Sequence, residues 1–311
     1  MGKVYDVVVI GGGPAGLTAG LYAGRALLST LVIEKSKHGG QTATTNEIDN
    51  YPGAEMEETG PSLIDKMVKQ AERFGVEMVT DEVIDVDFTG DVKKIKCTKG
   101  EYQSKVVIIA AGAFPRRIGC PGETELTAKG VSYCATCDAA FFEDLEVYVV
   151  GGGDSAIQEA LFISRFARKL TIIQNLPELT AAKSMQEKAL ENPKFSFYYN
   201  SLVTELRGDS GLLDTIKIKN QETGEETVFT ADEEDGTFGL FVFIGLTPST
   251  DVFKGKVDMD RGYFVTDENM RTNVPGVYAV GDCRVKPLRQ VVTAAADGAI
   301  AAVHAEKYIE Q

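Results

Sequence analysis

The chain of 311 residues has no tryptophan, two histidines and five cysteines. No apolar run approaches the roughly 20 residues that a membrane-spanning helix needs, so a helical membrane protein is excluded. The first strand is read as starting at Tyr5, which leaves no room for a secretory signal peptide. A cytosolic (cytoplasmic) protein is therefore expected. In that compartment five cysteines do not form a structural disulfide framework, and a C-x-x-C is redox-active or metal-binding. Zinc normally takes about four protein ligands in a structural site. Only one C-x-x-C is present, and neither His38 nor His304 is near it, so no metal is expected. Basic residues are also scarce, with 32 Lys and Arg against 46 Asp and Glu, a net charge of −14. That balance argues against nucleic acid as a partner, which requires a basic surface. The acidity reads mainly as a solubility feature. With 43% apolar and 25% charged residues, the composition is that of a soluble globular protein. The length suits two domains.

What is present is concentrated in Cys134-Ala-Thr-Cys137-Asp138. Two cysteines at this spacing can reach each other, so an internal disulfide can open and reclose. A free thiol titrates near pKa ~8.5 and must be lowered, or served by a base, to attack at neutral pH. Asp138 is the candidate acid/base, with a helix N-terminus assisting. It could also cap a helix starting near Ala139, and the two roles can coexist. Cys97 sits in an alternating strand as a small packing residue. Neither Cys120 nor Cys283 is expected to be redox-active. His304 is read as a core or interface residue. The cluster Arg165, Arg168 and Lys169 is read as a solvated helix end, with a docking patch for an acidic protein as the alternative.

Val7 to Ile10 is a β-branched run, read as a buried parallel strand. It enters Gly11-Gly12-Gly13-Pro14-Ala15-Gly16, followed by a helix to about Ala26 and a second strand, Thr30 to Ile33, ending at Glu34. A G-x-G-x-x-G alone says little. Inside a strand–turn–helix–strand unit with an acid at the end, it is a dinucleotide-binding signature. The glycines let the backbone approach a pyrophosphate at a helix N-terminus, and Glu34 can bind a ribose. The unit recurs 140 residues later as Val147 to Val150, Gly151-Gly152-Gly153-Asp154-Ser155-Ala156, a helix to about Phe166 and a strand from Leu170 to Ile173. Gly11 and Glu34 are 23 positions apart, as are Gly151 and Gln174. Gln174 thus stands where the first unit has its acid. Further strands are read at Lys105 to Ala110, ending at Ala111-Gly112, at Phe238 to Ile244 and at Val277 to Val280. A last helix is read from near Arg289 to Tyr308. The expected fold is α/β, with two Rossmann-like (three-layer ββα) nucleotide-binding domains, the second inserted in the first. Residues 1–116 and 246–311 would form one domain, and 117–245 the other.

The chain resembles the low-molecular-weight bacterial thioredoxin reductases over essentially its whole length. The resemblance rests on Gly11–Gly16, Gly39-Gly40-Gln41, Asn50-Tyr51-Pro52-Gly53, Cys134–Asp138, Gly151–Ala156, and Gly281-Asp282 followed by Arg289-Gln290. It implies an FAD domain built from both ends of the chain, a pyridine-nucleotide domain carrying the C-x-x-C, a homodimer and inter-domain rotation. On that pattern Gly11, Gly13, Pro14, Ala15 and Gly16 hold the FAD pyrophosphate, and Glu34 the ribose. Gly40, Gln41 and Asn50 line the flavin side. Asp282 contacts the ribityl–phosphate region, with Arg289 and Gln290 beside the isoalloxazine. Lys35, Val83, Ala111, Gly112 and Val291 complete the implied cofactor contacts, and His38 could touch the flavin environment. By the same analogy Cys137 faces the flavin and Cys134 attacks the substrate, thioredoxin. Ala296 replaces a glycine common in relatives, a change of no expected consequence.

One departure bears on the electron donor. NADPH-using relatives follow the second unit's last strand with arginines that clamp the 2′-phosphate. Here the matching positions are Gln174, Asn175, Leu176 and Thr180, and no basic residue occurs from 174 to 182. Arg–phosphate contacts are charge-assisted and often bidentate, each worth about 1.5–3 kcal/mol. NADPH is therefore not expected to bind. An NAD site would place an acid at Gln174. The pattern resembles ferredoxin-dependent flavin thioredoxin reductases. Transfer from a ferredoxin near −400 mV to thioredoxin near −270 mV is downhill by about 6 kcal/mol for two electrons. Ferredoxin is thus the expected donor, with an NADPH-dependent enzyme of atypical 2′-phosphate site as the alternative. Arg116, Arg117, Arg165, Arg168 and Lys169 are the candidate ferredoxin-docking cations.

Overall fold

The computed structural model describes residues 3–45, 48 and 50–311. The chain forms two compact units, Met1–Phe114 with Thr247–Gln311, and Pro115–Leu246. The crossings fall after Phe114 and Leu246, where the sequence had suggested 116 and 245.

In the first unit the strand Val4–Ile10 lies between Thr30–Glu34 and Glu101–Ile109, parallel to both. Glu77–Thr80 extends the sheet beyond Thr30–Glu34, and Val277–Ala279 pairs with Glu101–Ile109, again in parallel. The hairpin Val83–Asp87 and Lys93–Cys97 adds antiparallel strands. The central strands are buried on both faces, which is why their sequences read as continuous β-branched runs. Alternate residues feed opposite faces. Val7, Val9, Val106 and Ile108 meet Ala19, Ala23, Ala301 and Ala305 on the helical side. Val8, Ile10, Ile33, Ile95 and Phe264 fill the other. The helices Pro14–Arg25 and Val291–Ile309 pack closely because small residues face each other. A Cβ at Gly298 would lie 2.2 Å from the carbonyl oxygen of Ala15. The last helix starts at Val291 rather than near Arg289, because Gln290 caps it: the Gln290 N–H donates to Thr293 Oγ at 3.2 Å.

The second unit repeats the plan. Five parallel strands run in the order Phe195–Tyr198, Lys169–Ile173, Glu146–Val150, Gly239–Val242 and Val131–Ser132. The helix Asp154–Ile163 covers one face through Ala156, Ile157, Ala160 and Ile163. An antiparallel sheet, Ser201–Arg207, Thr215–Asn220 and Glu226–Thr230, covers the other through Val203, Leu206, Ile216 and Ile218. The helix stops three residues short of Phe166, where Ser164 Oγ donates back to the Leu161 carbonyl. Among the described residues no helix is long and apolar enough to cross a membrane.

Candidate active site

Cys134 and Cys137 form a disulfide, with their Cα atoms 5.3 Å apart. The segment entering it is fixed on both sides. Ser132 is on the ladder to Phe241 of the neighbouring parallel strand. The next residue, Tyr133, donates its hydroxyl to Glu123 Oε1 at 2.7 Å. Glu123 is buried and also accepts the backbone N–H groups of Ile118 and Gly119. The helix Ala135–Asp138 that carries Cys137 is a single four-residue turn. So short a helix has no developed macrodipole, which corrects the expectation that a helix N-terminus assists the thiol.

The capping role considered for Asp138 is also corrected. A 3₁₀ turn does begin at Ala139, but the Asp138 carboxyl caps none of its N–H groups. It instead accepts from Ser132 Oγ at 2.5 Å. Ser132 Oγ in turn accepts the N–H of Cys134 at 3.1 Å. Burial raises the Asp138 pKa, and the Ser132 hydrogen bond opposes that rise. A carboxyl poised upward from its ordinary range can both hold and release a proton beside a thiol.

The three remaining cysteines are not disulfide-bonded. Burial pushes the Cys97 thiol up to about 12, and those of Cys120 and Cys283 up to about 11. Thiols held protonated in this way are poor nucleophiles.

In the first unit, Gly13 is the N-cap of Pro14–Arg25, with Pro14, Ala15 and Gly16 in its first turn. The Gly12 N–H donates to Glu34 Oε2 at 2.8 Å, which pins the acid against the glycine turn. Gly11 and Gly16 serve close packing: a Cβ on Gly16 would lie 1.9 Å from Gly11 O. Gly13 and Gly40 face open space, since Cβ atoms there would meet nothing nearer than 4.0 and 3.8 Å. His38 Nδ1 is buried with no partner beside this turn, and it would lie 2.4 Å from a Cβ on Gly12. Lys35 Nζ sits 5.5 Å from the Phe114 ring centre. Gln41 Nε2 donates to Ala113 O. Gly112, at φ +69, follows Ala111 at the end of the strand Glu101–Ile109. Val83 opens the antiparallel hairpin, two residues past Asp81, whose N–H donates to Glu34 O at 2.9 Å.

Asp282 is bracketed by cations. Arg289 donates to its carbonyl at 3.2 Å and stacks 4.5 Å over the Tyr263 ring. Asn50 Nδ2 donates to Gln290 Oε1 at 3.2 Å, and Val291 follows as the first helical residue. Burial raises the Asp282 pKa, opposed by Lys286 and Arg289, and Asp282 Oδ1 is buried without a partner. The open cradle, the pinned Glu34 and this orphan acceptor fit a dinucleotide with hydroxyl donors, as FAD has. Sequence reasoning missed Asp297. It accepts Gly281 N–H at 3.0 Å and the buried Lys286 Nζ at 2.7 Å, and so holds the turn before Asp282. No spacing motif connects these positions.

The second turn differs in its polar contents. Gln174 is buried, with Nε2 donating to Glu178 O at 3.2 Å and Oε1 accepting the Asn175 N–H at 3.1 Å. Its amide lies against Gly152, where a Cβ would sit 2.6 Å from it. The Asp154 carboxylate accepts the Ala182 N–H at 2.7 Å. Lys183, the first basic residue after this stretch, opens the helix Lys183–Leu190 and is exposed. The cluster read as a helix end lies past Ile163, and two of its cations are paired. Arg168 bonds Asp235 and the Asp144 carbonyl, and Lys169 meets Glu146 at 3.1 Å. Arg165 sits 5.5 Å from the Phe162 ring centre. Among the described residues no group of His, Cys, Asp and Glu is arranged to hold a metal ion.

Residues 5–298 match the pyridine nucleotide-disulphide oxidoreductase family. The chain is 60% identical over 311 residues to a thioredoxin reductase of Peptoclostridium acidaminophilum, covering all of this chain and 98% of that one. It is 43% identical over 310 residues to a thioredoxin reductase of Listeria monocytogenes, covering 99% and 95%. The crystal structure of thioredoxin reductase from Streptococcus pyogenes superposes with a TM-score of 0.92 at 42% identity, covering 99% and 98%. The chain belongs to the pyridine nucleotide-disulphide oxidoreductase family.

Proposed function

We propose that this member of the family is an FAD-dependent disulfide reductase whose substrate is thioredoxin. The observation that carries the reading is the Cys134–Cys137 disulfide with the Asp138 carboxyl on the same turn. The names of the relatives supply the substrate. FAD, when bound in the first unit, supplies the electron pair that opens the disulfide. Gly13 and Gly40 would leave room for its pyrophosphate, Glu34 would accept from a ribose, and Asp282 would accept through its orphan oxygen. Once open, Cys134 attacks a sulfur of the thioredoxin disulfide and forms a mixed disulfide, releasing one thioredoxin thiolate. Cys137 then attacks Cys134, which restores the internal disulfide and releases the second thiolate. Asp138 takes a proton from the attacking thiol and returns one to a leaving thiolate.

For the electron donor we favour NADPH at an atypical 2′-phosphate site over ferredoxin. The family match spans both units, and the second unit repeats the strand–glycine turn–helix arrangement of the first. Lys183, the first basic residue after the stretch 174–182, is the candidate for the 2′-phosphate. One observation keeps ferredoxin as a second reading: the stretch 174–182 contains no Lys or Arg. Against it, Arg168 and Lys169, two of the candidate docking cations, are already paired. We also propose a cytoplasmic homodimer.

Anaerobic reduction of the bound flavin, followed by absorbance, separates the donors. The favoured reading expects NADPH to saturate at micromolar to millimolar concentration and to sustain thioredoxin reduction. Flavin that reduced ferredoxin reduces and millimolar NADPH does not would reverse the order. A folded protein that binds no FAD would remove the proposal altogether.

A further inference from the structure

We propose that Ser132 is a positioning residue for the disulfide site: its hydroxyl ties the Asp138 carboxyl to the backbone of Cys134 and relays the carboxyl's protonation to that backbone. The inference rests on the reading of Asp138 as the proton-transfer group. Ser132 Oγ lies 2.5 Å from Asp138 Oδ2, 3.1 Å from Cys134 N and 3.4 Å from Cys134 O. A serine hydroxyl has one hydrogen to give and two lone pairs to receive.

With Asp138 ionised, the hydroxyl hydrogen goes to the carboxylate at the shortest of the three distances. One lone pair takes the Cys134 N–H. When Asp138 accepts a proton from a cysteine thiol, the thiol becomes a thiolate and the carboxyl becomes a donor. Its O–H then fills the second lone pair of Ser132. The serine hydrogen is released and turns to the Cys134 carbonyl. In that state all three hydrogen-bonding capacities of Ser132 are used. Both protonation states therefore have a satisfied pattern, and they differ in one bond to the backbone of Cys134. Ser132 is 5% exposed, so water is a poor substitute for its hydroxyl.

Few other charges compete for this role. The strands Val131–Ser132 and Gly239–Val242 and the turn Ala139–Phe142 carry no titratable side chain. On the turn itself the titratable neighbours are the two cysteines. The helix Asp154–Ile163, packed against it, carries Asp154 and Glu159. Asp154 is committed to the Ala182 N–H, and the Glu159 pKa is also raised by burial, so Asp138→Asn is what separates its titration from that of Asp138. The upward shift of Asp138 arises from burial, and the Ser132 hydrogen bond opposes it.

The test uses the holoenzyme and the variants Ser132→Ala, Ser132→Gly, Ser132→Thr and Asp138→Asn. Two profiles are recorded against pH: thioredoxin reduction, and iodoacetamide alkylation of the reduced protein mapped to Cys134 by mass spectrometry. Circular dichroism and flavin absorbance establish that each variant is folded, and Ser132→Gly provides a second deletion of the hydroxyl. The expected result is a pH limb that is lost in Asp138→Asn, displaced to higher pH in Ser132→Ala and Ser132→Gly, and returned in Ser132→Thr. The direction follows because the lost hydrogen bond stabilised the ionised carboxyl. A limb that persists in Asp138→Asn removes the proton-transfer reading and the inference with it. A limb lost in Asp138→Asn but unmoved in the folded hydroxyl deletions leaves that reading standing and overturns the role of Ser132. Displacement that persists in Ser132→Thr reduces Ser132 to packing and also overturns it.

Discussion

Gly13 and Gly16 are three residues apart in one turn, yet an added methyl group meets opposite surroundings at the two positions. At Gly13 the nearest atom to a Cβ is Gly39 O at 4.0 Å, and the backbone, at φ −79 and ψ −177, suits alanine. At Gly16 a Cβ would lie 1.9 Å from Gly11 O and 3.0 Å from Gly11 C. These are backbone atoms, so no side-chain rotation relieves the contact. Gly16→Ala should therefore force strand and helix apart at about 3 kcal/mol or more. Improved helix propensity offsets roughly 1 kcal/mol of this. Gly13→Ala should leave the flavin-free fold intact and fill the cradle instead. If a pyrophosphate lies there, crowding of about 1–3 kcal/mol translates to roughly 5- to 150-fold weaker FAD binding. Thermal melting of the flavin-stripped proteins, followed by FAD titration with fluorescence detection, separates the two effects. Wild-type FAD affinity in Gly13→Ala would refute the cradle. A flavin-free Gly13→Ala protein melting as low as Gly16→Ala would show that the cradle is packed rather than open.

Cys134→Ser and Cys137→Ser should each abolish thioredoxin reduction while leaving bound flavin reducible; near-normal turnover in both would rule out exchange through this disulfide. Asp138→Asn should slow turnover about 10²-fold or more, as loss of an acid–base group does. It should also melt higher than the wild type at neutral pH. The folded carboxyl titrates above its ordinary range, so between those two values the folded state keeps a proton that the unfolded chain has lost, and stability falls as pH rises through that window. The asparagine variant escapes this fall, so the melting difference should shrink toward acid pH; a constant difference contradicts the assignment. Asp297→Ala removes the hydrogen-bonded partner of Lys286, which has 4% of its side chain exposed, and leaves Asp282 as the remaining acid near it; the protein should be destabilised by roughly 1.5–3 kcal/mol, read from the denaturation midpoint.

The repeat, the strand–turn–helix units and the disulfide were legible in the sequence because each rests on local signals. Buried parallel strands leave β-branched runs, glycine turns have fixed offsets, and two cysteines three positions apart can hardly avoid each other. The polar supports were less visible. Lys286 reaching Asp297 joins a loop to a helix through tertiary packing that no spacing encodes. The partner of Asp138 was in plain view two residues before Cys134. A serine there competes with the helix-capping role that the sequence suggested, and geometry decides for the serine. The cations read as a solvated helix end are exposed, but they lie past the helix and two of them are paired. Asp235 and Glu146 are far in sequence from Arg168 and Lys169, and meet them only in the fold.

The divergence between the two glycine turns bears on donor choice. In the first turn a carboxylate, Glu34, takes the Gly12 N–H. In the second, a neutral amide, Gln174, is held between Glu178 O and Asn175 N and lies against Gly152. An acid at this position accepts from a ribose 2′-hydroxyl and repels a 2′-phosphate, whereas arginines beyond it attract the phosphate. The second turn has neither. On the pyridine-nucleotide reading, it should therefore discriminate weakly between NADPH and NADH. Gln174→Glu adds the repelling charge and should shift preference toward NADH. Leu176→Arg adds a phosphate partner and should shift it toward NADPH. Each change should alter the ratio of the two kcat/KM values by roughly tenfold or more, the worth of one charge-assisted hydrogen bond. Ratios unmoved by either substitution would mean that neither nucleotide meets this turn, and would strengthen the case for ferredoxin.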